Sequence, residues 1–336
     1  MDKPEVIDIH CHTAGLGYGE SGCFISGTLQ RSWKYKVYLK AFGVTEGELK
    51  ECGDFIILKH LSQLLEESEQ VSKAVILAMD GVIGIDGEID ISRTEIYIPN
   101  EFIANNVNKF DNLLYGASIN PYRKDSLELL AKAKADGAVL IKWLPSIQNI
   151  DPADRVIIPF YKGLQEYGIP LLSHTGDEHS FTKAQNKLAD PAKLRLPLEY
   201  GVKVIAAHAA TTGKNQGENN FDRILPMFRI YKNLYADISG LTQINRVGHM
   251  ARLLSHLEVH GRLLYGSDMP LLRTGIVSPL YFSPSLSLKQ TLSIAGIKNP
   301  WDRDVMLKLG LGVPEDVFTR STSILNVKKE SEACHA

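Results

Sequence analysis

Cysteine is scarce in this chain: four residues in 336, at positions 11, 23, 52 and 334, with no CxxC pair. That usage excludes a disulfide-stapled scaffold and points to a reducing compartment. No apolar run approaches the about 20 residues that span a bilayer. Lysine and arginine, 37 against 39 acidic residues, form no dense stripe, and the formal net charge is −2. Nucleic acid and anionic membrane are therefore not expected partners. Strand-like sequence begins within the first few residues, which leaves no room for a charged-then-apolar leader, so a cytoplasmic location is expected. No glycine-rich phosphate loop follows the first apolar run.

What is present is ordinary globular material, 44% hydrophobic and 23% charged. Short apolar runs recur throughout, at 5–12, 72–79, 112–119, 138–144, 169–174, 202–208, 233–239 and 262–268. They are almost continuously apolar rather than alternating, as parallel strands buried on both faces require. Amphipathic stretches between them carry helix punctuation. Asp125 precedes one and Gly137 ends it; another stops at Gly168; Asp190 and Pro191 open a third, which Pro197 should shorten. Eight strands alternating with helices predict a (β/α)8 TIM barrel, a single domain over 1–336. A doubly wound open sheet is the alternative, disfavoured by the missing phosphate loop. Lid-like insertions are expected after strands one (about 13–60), two (80–99) and eight (269–300), with a C-terminal tail from about 325.

The chemistry collects at the strand ends. "VIDIHCHTAG" places His10 and His12 two apart, on one side of a strand. The other runs end at Asp80, Asn120, Lys142, His174, His208, Asp237 and Asp268. In a barrel all of these crowd one mouth. Taken singly, a strand-end histidine reads as a hydrogen-bonded core group, and Asp80 or Asp237 as a loop cap. Four histidines and an aspartate at the ends of strands one, five, six and eight read together as a metal site. His179, just beyond His174, either reaches substrate or faces solvent.

"VIDIHCH", "IPLLSHTG", "GVKVIAAH" and "LLYGSDMP" resemble the strand ends of the amidohydrolase superfamily, in particular its amidohydrolase-related (amidohydrolase 2) branch, over nearly the whole chain. The resemblance implies a metal-dependent barrel in which His10, His12, His174 and Asp268 hold a divalent ion, zinc first and manganese as second choice. It makes His208 a second-site ligand or the group that polarises substrate. The implied chemistry class covers hydrolases, lactonases, hydratases and decarboxylases.

Lys142 has three readings. Carboxylated, it would bridge two metals, as in superfamily members that resemble phosphotriesterase. Charged, it would grip a substrate carboxylate over a single metal. Otherwise it pairs with Asp80 or Asp237. The expected reaction is hydrolysis of a small, carboxylate-bearing ester, lactone or amide by metal-activated water. Lys142 and His208 act beside Asp268, which accepts the water's proton. A mononuclear decarboxylase on the same ligands is the alternative, and a degenerate, non-catalytic barrel the third reading. Asp8 is expected to orient His10 from the same strand face. Tyr18, Phe24 and Trp33 of the first insertion should cover an apolar substrate portion unless the insertion is a subunit contact. Arg273 and Trp143 should lie beside the mouth. The expected partner is a small molecule, with a homo-oligomer left open.

Overall fold

Val, Ile, Leu and Ala fill the eight runs, and each becomes a strand because such side chains suit a pleated surface covered on both faces. The computed structural model describes residues 5–325 and 327. Strands β1 (Ile7–His12), β2 (Lys73–Leu77), β3 (Leu113–Ala117), β4 (Leu140–Trp143), β5 (Leu171–His174), β6 (Val204–Ala207), β7 (Leu234–Asp237) and β8 (Leu263–Leu264) pair in parallel, in sequence order. The ring closes between its two ends. Ile9 N–H donates to the Tyr265 carbonyl (3.3 Å), Asp268 N–H to that of His10 (2.9 Å), and His12 N–H to that of Met269 (3.0 Å). The architecture is the expected TIM barrel.

The helices follow their punctuation with two refinements. The helix at Ser126–Ala135 starts after Asp125, but that side chain does not cap it; its carboxylate is held by Arg123 at 2.9 Å instead. The third predicted stretch breaks into a 3₁₀ turn, Pro191–Leu194, and a short helix, Arg195–Glu199, which contains Pro197. Asp190 caps the turn as expected.

Alternation sorts the strand residues into two layers. Ile7, Ile9, Val75, Leu77, Leu140, Leu172, Ile205, Ala207 and Leu264 pack together inside the barrel. Their neighbours along each strand, among them Cys11, Ile141 and Trp143, pack outward under the helices. Trp143 therefore does not reach the mouth. Its indole N–H donates to the Ile119 carbonyl (2.7 Å), and its ring stacks on Phe160. With Lys142 facing inward, the next residue must face out.

A bulge in β1 overturns a second expectation. Between Asp8 and Cys11 the strand advances three residues while β2 advances two, Ala74 to Ile76. The extra residue breaks the alternation, so Asp8 does not share a face with the His10 ring. Its carboxylate lies in the outer layer, accepting from Trp301 Nε1 (2.8 Å), Ser267 Oγ (2.5 Å) and the His10 backbone N–H (3.0 Å).

The first and second insertions are stitched together where Phe24–Ile25 pairs antiparallel with Ile96–Tyr97. At the opposite end, Ile324 and Leu325 close the barrel floor by joining the interior cluster. Of the tail expected from about 325, residues 326 and 328–336 lie outside the described part, Cys334 among them. Among the described residues no helix is long and apolar enough to cross a membrane.

Candidate active site

The interior strand-end side chains meet at the carboxyl end of the barrel. His10, His174 and His208 are buried and His12 nearly so. Ring centroids lie 5.0 Å apart for His10–His12, 5.2 Å for His10–His208 and 5.0 Å for His174–His208. Asp268 Oδ1 stands 3.6 Å from His12 Nε2 and 3.8 Å from His10 Nε2. Lys142 Nζ lies 2.8 Å from His10 Nε2. All six predicted site residues are thus brought together. Gly266 makes room for this, since a Cβ there would sit 2.9 Å from that of His10.

Hydrogen bonds set the ring orientations. His10 Nδ1 faces Asp237 Oδ2 at 2.8 Å, so the proton belongs on Nδ1 and a lone pair remains on Nε2. Asp237, read from sequence as a possible cap, is thus what holds His10. It also accepts the backbone N–H of His208 (2.8 Å) and the Ser239 hydroxyl (2.5 Å). His208 Nδ1 donates to the Ser239 carbonyl at 2.9 Å, which leaves its Nε2 a lone pair too. Asp80 acts as the alternative reading had it, sealing its loop through Asn120 N–H (2.7 Å) and Arg123 (3.2 Å). The Lys142 ion pair with Asp80 or Asp237 does not form, both carboxylates being engaged elsewhere.

The donor set fits a cation. Among the described residues, ligand atoms of His10, His12 and Asp268 lie within 4.8 Å of one another. His174 Nε2 is buried with no hydrogen-bond partner. His10 and His12 face each other Nε2 to Nε2 at 3.2 Å. A cation among these lone pairs would satisfy them all; a hydrogen-bonded core would not leave one orphaned. Burial keeps the imidazoles neutral: it pushes His10, His12 and His208 well below the usual histidine value and His174 to about 4. The same desolvation raises the Asp268 carboxyl to about 6 and lowers the Lys142 ammonium to about 8. A second cluster, His10, His208 and Asp237, is the hydrogen-bonded support just described, its Nδ1 nitrogens being already spoken for. Backbone strain collects here as well, with positive φ at His208 (58°) and Asp268 (65°).

Above the histidines opens a cleft of about 1130 Å³, mouth included. His12, His174, His208 and Asp268 line its floor, and His179, exposed at the rim, also borders it. The first insertion supplies Ile25, Leu29, Tyr35, Tyr38, Leu39 and Phe42. Tyr18, Phe24 and Trp33 are not among its walls: Phe24 packs on Tyr97, and Trp33 is 73% exposed. Along the helix Trp33–Phe42, the inward face falls on Tyr35, Tyr38, Leu39 and Phe42, and Trp33 lies off it. Arg273 also misses the cleft; the residue is exposed, with its guanidinium packed beside Gly43.

The cation the cleft does have is Arg246, which sequence reasoning missed. It is buried, and its Nε and Nη1 have no hydrogen-bond partner. Glu178 and Gln243 were missed too. Glu178 Oε2 lies 3.7 Å from His174 Nδ1, and Gln243 Nε2 donates to Asp268 Oδ2 at 3.2 Å. The available signal was position alone: all three lie in loops that leave strands five and seven at the mouth.

A family model described as Amidohydrolase matches residues 7–279. Among curated proteins no sequence matches. Solved structures match along nearly their whole length. An uncharacterised TIM-barrel protein from Bordetella bronchiseptica aligns with a TM-score of 0.55 at 13% identity, covering 92% of this chain and 99% of that one. A probable 2-pyrone-4,6-dicarboxylic acid hydrolase from Acinetobacter baumannii, solved with citric acid bound, aligns at 0.53 and 15%, covering 94% and 99%. The IDCase of Metarhizium anisopliae in apo form aligns at 0.51 and 10%, covering 96% of each. At such identities these likenesses speak for the fold; with the family match spanning most of its length, the chain is an enzyme that belongs to the amidohydrolase family.

Proposed function

We propose that this enzyme is a metal-dependent hydrolase of a small ester, lactone or amide that carries a carboxylate. The observation that carries the reading is one juxtaposition: converging imidazole and carboxylate donors beneath a cleft whose wall holds a buried arginine with two free N–H donors. His10, His12, His174 and Asp268 would hold a divalent ion, with zinc or manganese suited to such donors. His208, its Nδ1 proton committed to Ser239, offers a lone pair, so it acts as a further ligand rather than as a hydrogen-bond donor to substrate. When bound, the ion supplies Lewis-acid polarisation and a water of lowered pKa.

The protein's own groups do the rest. Arg246 receives the substrate carboxylate through Nε and Nη1 and fixes the scissile bond over the floor. Asp268, held by Gln243, accepts the water's proton and returns it to the leaving group. Asp237 and Ser239 keep the His10 and His208 rings in place. Lys142 does not border the cleft and is fully buried beside His10. That placement favours the metal side over a grip on substrate: its neutral amine, adding to carbon dioxide with loss of a proton, would give a carbamate with two oxygen donors. Cys11, Cys23 and Cys52 are unpaired, in keeping with a cytoplasmic enzyme.

The test is purified protein loaded with zinc or manganese and offered a panel of carboxylate-bearing lactones, esters and amides, with metal content measured in parallel. Hydrolysis that chelation abolishes and zinc restores supports the reading. Release of carbon dioxide without hydrolysis would assign the decarboxylase alternative instead. Stoichiometric metal with neither reaction across the panel would refute the proposal.

A further inference from the structure

We infer that the substrate is a monoanion with an apolar tail of at least butyl or phenyl size, selected by the first insertion. The inference rests on the hydrolase reading and adds the shape and charge of what is bound.

Charge is its first support. Arg246 supplies the cleft's Lys/Arg charge alone among the described residues; Asp177, Glu178 and Asp268 supply negative charge. One substrate carboxylate has a partner. A second, carried out along the tail against the apolar wall, would lose its hydration with no side-chain cation to meet it there, a penalty of several kcal/mol for a buried unpaired ion. Dicarboxylates are therefore disfavoured.

An apolar wall is the second support. Ile25, Leu29, Leu39 and Phe42 from the insertion line the cleft together with Ile96 and Leu271, contributed by the other two insertions. They border the same cleft as Arg246 and the catalytic floor, so a ligand held there has an apolar wall beside it. Leu29 and Phe42 are nearly fully buried and form a built wall. The insertion is also pinned at the cleft's edge, where Lys34 Nζ donates to the His179 carbonyl at 2.6 Å. That bond ties the helix carrying the apolar wall to the loop after β5.

Calorimetric titration of the zinc-loaded full chain with acetate, butanoate, hexanoate and 3-phenylpropanoate, and with adipate as the dianionic match to hexanoate, tests this. Affinity should rise about fourfold per methylene along the ladder, the increment expected for burying a CH₂. Adipate should bind at least about tenfold more weakly than hexanoate. Leu39→Ala should flatten the ladder. Val37→Ala, on the outward side of the same helix, should leave it unchanged. A flat ladder in the parent protein, or adipate tighter than hexanoate, would overturn the inference whatever the variants do. The two readings fail separately. A steep ladder without hydrolysis refutes the hydrolase reading and leaves the tail pocket standing. Hydrolysis with a flat ladder does the reverse.

Discussion

Arg246→Met separates what the fold needs from what the chemistry needs. Arg246 is 6% exposed, and its guanidinium leaves Nε and Nη1 without partners. Burial holds its pKa below the ordinary arginine value, even with Asp268, Glu178 and Asp237 pulling the other way. The charge is therefore a net cost to the native state, and the Met variant should melt no lower than the parent. Function should move oppositely. Each charge-assisted hydrogen bond to a substrate carboxylate contributes about 1.5–3 kcal/mol. Two of them give about 3–6 kcal/mol, a loss of roughly 150- to 25,000-fold in kcat/KM. The assay compares a carboxylate-bearing substrate with its neutral primary-amide analogue in both proteins, alongside thermal melts. The large loss should appear with the acid alone. An equal loss on the neutral analogue would mean that Arg246 supports the site's structure rather than the substrate, and a markedly lower midpoint would refute the stability argument.

Four further outcomes follow from the site. Asp268→Asn should fold normally by circular dichroism and lose essentially all turnover, because it removes a ligand and the proton acceptor together; an active variant would sink the mechanism. His10→Ala combined with His12→Ala should sharply reduce bound metal by elemental analysis, and undiminished stoichiometry would make the opening motif structural. Asp237→Asn should weaken metal affinity about 10- to 100-fold by releasing the His10 ring, measured by competition with a chelating dye. Lys142→Ala should lose metal and activity, with partial recovery of both on adding acetate or propionate; full metal content without rescue would refute the carbamate.

Much of this protein is legible in one dimension. Eight apolar, β-branched runs separated by capped helical stretches specify parallel strands covered on both sides, and the residue ending each run faces the mouth of a closed barrel. Period-two alternation puts Lys142 inside, His10 and His12 together, and Cys11 outside, so six ligand candidates could be named before any fold was seen. Those are consequences of local geometry, which travels with the sequence. Where that geometry was interrupted, reading by period failed: the β1 bulge sent Asp8 to the outer layer and left Asp237, far away in sequence, to hold His10. Loop residues carry no period at all. Arg246 rather than Arg273, and Leu29, Leu39 and Phe42 rather than Tyr18, Phe24 and Trp33, meet the cleft because the insertions pack against one another, an arrangement set by long-range contacts. The ligand candidates were thus written in the strands, whereas the residues that would choose a substrate were decided by tertiary packing.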